Sequence, residues 1–240
     1  MKTTGRKAKI VVSGDGAGIA SQAGGLLLIE ALRVTGLDQG LSRALARWRT
    51  PRAVHDPGKI VTDLAVMLAL GGDCLADVAV LRSSPGLFGP VASDPTVSRL
   101  VTTLAQAGPA ALRAIRTARA HARASGAWVL AGDRAPGAGG GLIPVDLDAT
   151  IVIAHSDEEQ AAPTWKRTFG HHLMTAFIDH GPGGTGEAAA LVLRPGNAGP
   201  NTAADHITAG RLALNQIPTR LHKQVIIRTD SGGGTHEFLD

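Results

Sequence analysis

At 240 residues, with 44% hydrophobic and 18% charged side chains, the chain has room for one large domain or two small ones and enough apolar matter to exclude wholesale disorder. Its single cysteine, Cys74, excludes an intramolecular disulfide and a cysteine-cluster zinc site, and the apolar run around Leu64–Leu70 is too short to span a bilayer. The net charge of +4 divides into +8 over residues 1–125 and −4 over residues 126–240, a balance suited to a polyanion-binding module joined to a carboxylate-bearing site. Aromatic residues are 3% with no Tyr, so the core must come mainly from Ala, Val, Leu and Ile, and Cys74, among apolar neighbours, is expected to be an inert core thiol.

Residues 1–25 read as a basic tail, a short strand over Lys9–Ser13 and a glycine-rich turn. The tail lacks the apolar stretch of a signal peptide, so the chain is expected to be soluble and cytoplasmic. Apolar residues recur at helical spacing through 26–49, until Pro51 and Pro57-Gly58 break the pattern. Lys59–Leu70 reads as a buried helix stopped by Gly71-Gly72, and a short helix follows over Leu75–Arg82. Ser93-Asp94-Pro95 is a helix start, with a capping residue and a proline in the first turn, opening Thr96–Gln106. Gly108-Pro109 then starts another helix to Arg123.

The stretch Ala131–Gly141 reads as a glycine-rich linker, after which the texture turns from helix to strand. Leu142–Ala154, Thr168–Asp179 and Glu187–Leu193 read as strands, with Pro182-Gly183-Gly184 as the turn between the last two. Thr202–Gln216 reads as a helix, and Val225–Thr229 as a fourth, fully buried strand followed by glycines. The expected organisation is therefore a helical basic region over 1–130, a linker over 131–141 and a mixed α/β unit over 142–240 with the order β-β-β-α-β.

Two segments carry candidate chemistry. In Val145-Asp146-Leu147-Asp148-Ala149-Thr150, two carboxylates two residues apart share one face of a strand. Buried together they would repel, and a hard divalent cation with oxygen ligands would remove that cost; otherwise one or both sit at a strand end facing solvent. In Arg228-Thr229-Asp230-Ser231-Gly232-Gly233-Gly234, an aspartate ends an apolar strand, where sites assemble in α/β sheets, or it merely caps the next helix.

Together with Leu193-Arg194-Pro195-Gly196-Asn197-Ala198-Gly199-Pro200-Asn201-Thr202-Ala203-Ala204-Asp205-His206 and Gly89-Pro90-Val91-Ala92-Ser93-Asp94-Pro95-Thr96-Val97-Ser98-Arg99, these segments resemble the bacterial insertion-sequence transposases of the DDE superfamily. The resemblance covers nearly the whole chain, and Arg194–Asn197 is its most specific part. It implies a helical, DNA-binding N-terminal region followed by an RNase H-like mixed sheet. It also implies DNA strand transfer in which three acidic residues hold two Mg²⁺ (or Mn²⁺) ions that activate the attacking hydroxyl and stabilise the leaving oxygen. Asp148, which precedes Ala149-Thr150, matches the first aspartate, with Asp146 as the fallback; Asp230 matches the second. The family's third carboxylate, a glutamate, lies well downstream, and Glu237 is too close to Asp230 to replace it. The sheet domain is thus expected to be incomplete and C-terminally truncated, binding DNA and metal without completing strand transfer.

The helices near 60–70, 75–82 and 94–106 are spaced like a helix-turn-helix bundle, with Ser98 and Arg99 on the last as DNA contacts. Arg113, Arg116, Arg119 and Arg123 recur at three- and four-residue steps as one basic stripe suited to a phosphate backbone, or to a solvated helix face. Arg43, Arg47, Arg49 and Arg52 pose the same alternative. The implied partners are transposon terminal repeats and another copy of the chain or a full-length transposase, with no membrane. The competing reading is a non-catalytic DNA-binding remnant that occupies transposon ends or inhibits the full-length enzyme. Gly14-Asp15-Gly16-Ala17-Gly18 has the wrong spacing for a dinucleotide loop, His155, His171 and His172 lack partners at a metal-binding spacing, and Asp157-Glu158-Glu159 reads as a solvated loop.

Overall fold

The computed structural model describes residues 24–154, 158–181, 186–199, 202–230 and 233–239. The strand expected over Lys9–Ser13, the Gly14–Gly18 loop, His155, Asp157 and the Pro182-Gly183-Gly184 turn lie outside those residues.

The helical run expected over 26–49 is two helices, α1 (Gly25–Thr35) and α2 (Leu37–Leu45), because Gly36 adopts φ 71° and ends the first while opening the second. α3 (Pro57–Ala69) starts where Asp56 Oδ1 accepts the Lys59 backbone N–H at 2.9 Å, with Pro57 at the first helical position. A 3₁₀ turn leads into α4 (Val78–Arg82), followed by α5 (Pro85–Phe88), α6 (Asp94–Ala107) and α7 (Pro109–Ala122). Ile60, Val66, Met67, Val78, Leu81, Phe88, Val97 and Leu100 form one buried cluster from α3 to α6. Arg82 fastens the start of α6 by donating to Ala92 O at 2.9 Å and Asp94 Oδ1 at 2.7 Å. Cys74, expected in a core, is exposed: it lies in the turn before α4, where its backbone N–H is held by Asp77 at 3.0 Å.

α7 does not end cleanly. It runs through a π-helical turn, Arg123–Ala127, into α8 (Trp128–Ala131). A π turn bonds residue i to i+5, so residues five apart stand above one another. Arg123 and Trp128 accordingly reach the same carboxylate, Glu187, each at 2.8 Å.

The sheet is built on β1 (Ile143–Ile153). On one side it pairs antiparallel with β3 (Phe169–Ile178), which also takes β4 (Glu187–Val192) and the two-residue β2 (Ala162–Pro163). On the other side β1 pairs parallel with β5 (Val225–Thr229), reached through α9 (Ala203–Leu214). A last helix, α10 (His236–Leu239), contacts α9. The strand alternation puts Ile143, Val145 and Leu147 on the face that meets Met174, Ala176 and Ile178, and α9 covers that face with Ala209 and Ala213. Each such aliphatic side chain taken from water stabilises by roughly 1.5–3 kcal/mol.

One expectation fails here. β5, read as fully buried, is a half-exposed edge strand with Ile226 44% exposed, because β1 covers only one of its edges and α9 packs on one face of the sheet alone. Trp128, ahead of the stretch expected to be a linker, belongs to the cluster that fills the sheet unit.

Candidate catalytic cleft

The parallel register of β1 and β5 pairs Leu147 with Thr229. The next residues along the chain are Asp148 in β1 and Asp230, just past the end of β5. Both line one cleft of about 580 Å³ at the C-terminal end of β5. The carboxylate pair on β1 is not buried, as the sequence suggested; it lies on the uncovered face of the sheet, with Asp148 exposed. The cost of two neighbouring carboxylates is met by separating their partners. Asp146 takes Arg228, its cross-strand neighbour, in a two-pronged ion pair at 2.6 and 2.7 Å, and Arg228 also donates to Asp179 at 2.7 Å. The Arg228 guanidinium is held above its ordinary pKa by these bonds, and Asp179 is held below the usual carboxylate range by the Gly181 N–H and by Arg228. Among the described residues the Asp148 carboxylate has no hydrogen bond or ion pair; only its backbone oxygen accepts, from Thr175 Oγ1 at 2.8 Å. A solvent-facing pair of carboxylates on adjacent strands, one of them uncommitted, is a donor set that fits a hard divalent cation. Asp146 does not line the cleft, and neither does Glu237, on α10.

Gly196-Asn197-Ala198-Gly199 also forms part of the cleft wall. Arg194, buried at the end of β4, shapes it: Nε donates to His172 O at 2.9 Å, and Nη1 to Gly199 O at 3.0 Å and Asp205 Oδ2 at 2.8 Å. One side chain therefore ties β3, the wall and α9 together. Gly196 is required by close approach, since a Cβ there would lie 2.2 Å from Ala162 O. His172 and His206 line the same cleft; both are buried, with Nδ1 hydrogen-bonded to Ala198 O at 2.8 Å and Thr202 O at 3.0 Å respectively. A carbonyl partner fixes Nδ1 as the donor. Trp165 and Lys166, from the turn between β2 and β3, complete the mouth.

The arginines divide. Arg99 is exposed on α6, bonded to Thr96 Oγ1 at 3.0 Å, beside exposed Ser98, and Arg113 is exposed on α7. Arg116 is half-buried, and its carbonyl accepts Gln216 Nε2 at 3.0 Å. Arg119 donates to Ala188 O at 2.7 Å; Arg123, 7% exposed, joins Glu187, Gln216 Oε1 at 2.8 Å and Ala188 O. The four are thus not one solvated stripe: the C-terminal half of α7 lies against β4, and its two arginines bind protein rather than facing solvent. Arg43, Arg47, Arg49 and Arg52 are exposed. Asp73, Cys74 and Asp77 also lie close together in the helical region, with the Asp77 carboxyl held low by the Cys74 and Asp73 N–H groups.

Sequence reasoning missed Trp165 and Lys166, quoted His206 in a matching run without giving it a role, and set His172 aside. The only sequence signal for the first two is an aromatic-cation pair framed by threonines, Thr164-Trp165-Lys166-Arg167-Thr168.

A family model described as transposase DDE domain group 1 matches residues 2–240. No curated protein and no solved structure matches the chain. Transposases of this kind act on DNA and generally use divalent metal ions, and no helix among the described residues is long and apolar enough to cross a membrane. With the match running across almost its full length, the chain belongs to the DDE transposases.

Proposed function

We propose that the chain recognises the terminal repeats of a mobile DNA element through its helical region and directs phosphodiester cleavage and strand transfer at the Asp148–Asp230 cleft. The observation that supports this reading is that Asp148 and Asp230, each one residue past the last paired position of β1 and β5, line one cleft. The order of the paired strands, with β1 central, antiparallel to β3 and parallel to β5, supports an RNase H-like core. Asp148 and Asp230 hold Mg²⁺ or Mn²⁺. The chemistry supplied by those ions is charge stabilisation at the reacting phosphodiester and activation of the attacking hydroxyl. Asp146 is a positioning residue: with Arg228 it fixes β1 against β5 one turn of the pleat below the site. Arg194 holds the Gly196–Gly199 segment of the cleft wall. In the helical region, the exposed face of α6 with Ser98 and Arg99 is the groove-facing element of a helix-turn-helix, and Arg113 and Arg116 contact phosphates.

Titration with Mn²⁺ tests the site directly, because it reads the ligands without requiring turnover. Asp148→Asn and Asp230→Asn are expected to weaken Mn²⁺ binding by roughly tenfold or more, as replacing an anionic ligand of a hard cation by a neutral amide should, and Asp146→Asn to leave it nearly unchanged. Equal binding in wild type and Asp148→Asn would remove the reading.

A further inference from the structure

We infer that the Trp165-Lys166-Arg167 turn is a stacking platform for an unpaired DNA base next to the cleaved phosphodiester, an inference that rests on the function proposed above. Trp165 is 70% exposed, although it stands at the mouth of the cleft that Asp148 and Asp230 line. The other tryptophans behave differently: Trp128 is buried and bonded to Glu187, and Trp48 is half-buried. An exposed indole costs free energy unless a partner covers it.

The turn that carries it is built to hold still. Thr164 and Thr168 close it through Thr164 N–H to Thr168 O at 2.8 Å and a hydroxyl pair at 2.7 Å, and Arg167 N–H returns to Thr164 O at 3.0 Å. Arg167 sits at φ 59°, a left-handed conformation that a non-glycine residue keeps only where the surroundings impose it. A rigid aromatic loses little entropy on binding. Lys166 Nζ lies 5.0 Å from the Trp165 ring centre and occupies one face. Among the described residues no other ring or cation stacks on the indole, which can take a second flat group. A duplex interior shows no base face, so the group that fits is a base that is unpaired, at a strand end or pulled from the stack. Lys166 and Arg167 bring two cations to the same tip, which suits the phosphates flanking that base.

The test is binding without divalent ions, so that no strand is cut and the aspartates are not needed. Two short duplexes of one sequence are compared, one blunt and one with a single-stranded overhang carrying 2-aminopurine. The expected result is that Trp165→Ala weakens overhang binding by roughly 5- to 150-fold and abolishes quenching of the probe, that Trp165→Phe keeps most of both, and that blunt-duplex affinity does not move. An equal loss on both duplexes, or no loss on either, overturns the inference. Failure of the metal reading shows instead as unaltered Mn²⁺ binding in Asp148→Asn, a result independent of the overhang preference.

Discussion

The helical region and the sheet region treat charge in opposite ways. From α3 to α6 the interior is apolar, and the buried charge there is Asp63, with Lys59 as its ion-pair partner and Oδ2 left without a bond among the described residues. Around the sheet, arginines and carboxylates are drawn inward and multiply bonded: Arg123 with Glu187 and Gln216, Arg194 with Asp205 and two carbonyls. Fixed polar geometry is what phosphoryl chemistry needs, since catalysis there rests on positioning and electrostatics. A surface that reads a nucleic-acid backbone needs exposed cations on a stable frame. On the function proposed above, the difference between the two interiors is a difference of task.

Breaking the junction between the regions gives the largest effect. Arg123→Ala removes the side chain that joins α7, β4 and the end of α9, and leaves Glu187 half-buried with Trp128 and His180 alone. Losing one partner of a buried ion pair costs about 3–5 kcal/mol. In a chain of 240 residues this should lower the melting temperature by roughly 10 °C. A melting temperature within a degree or two of wild type would mean that the network is ornamental and the two regions are coupled elsewhere.

Buried Asp63 and half-buried Glu187 sharpen the comparison through their opposite response to pH. Burial pushes Glu187 up, but Arg123, Trp128 and His180 outweigh it and hold its carboxyl below the ordinary value. Its ionised form thus stabilises the fold above the usual glutamate range of about 4.3, and that contribution is lost as pH falls through its lowered value. Burial also pushes Asp63 up, and there Lys59 does not compensate. Its ionised form opposes folding at neutral pH, and the cost disappears as pH falls below the ordinary aspartate value of about 3.9. Glu187→Gln should therefore lower stability at pH 7 by about 1–3 kcal/mol. Asp63→Asn should raise it by about 1 kcal/mol or less, an amide being cheaper to bury than a carboxylate. Both gaps should narrow on acidification, followed by denaturant melts at pH 7 and pH 4. A destabilised Asp63→Asn at neutral pH would show that the Lys59 pair outweighs desolvation.

How much of this was legible in the sequence follows from what each pattern encodes. Alternation placed β1, β3 and β4 within a residue or two, because one covered face imposes a period of two. The same pattern made β5 look buried, since Val225-Ile226-Ile227 states hydrophobicity and not how many neighbours a strand has. Helical spacing located the arginines of α7 but not the side from which β4 approaches, nor the π turn that brings Arg123 beneath Trp128. The segments holding Asp148 and Asp230 stood out, yet a separation in sequence carries no register, and only the β1–β5 pairing puts them together. The Arg194–Asn197 run was visible as a motif, while its work as a brace for the cleft wall needs three dimensions.

The smallest effect is the one that isolates the helical surface. Arg113 is exposed near the start of α7, six residues before Arg119 turns onto the sheet. Arg113→Ala should leave stability within about 0.5 kcal/mol of wild type, as exposed substitutions do. If Arg113 contacts a phosphate, the variant binds duplex DNA more weakly whatever its sequence, and the slope of log affinity against log salt falls by about one. Arg123 offers the internal contrast: its guanidinium is committed to protein acceptors, so in an Arg123→Lys variant that still folds the salt slope should stay at the wild-type value. A slope that drops for Arg123→Lys and not for Arg113→Ala would invert the division of labour along α7, and would mean that DNA binding opens the α7–β4 contact instead of using the face that the free protein presents.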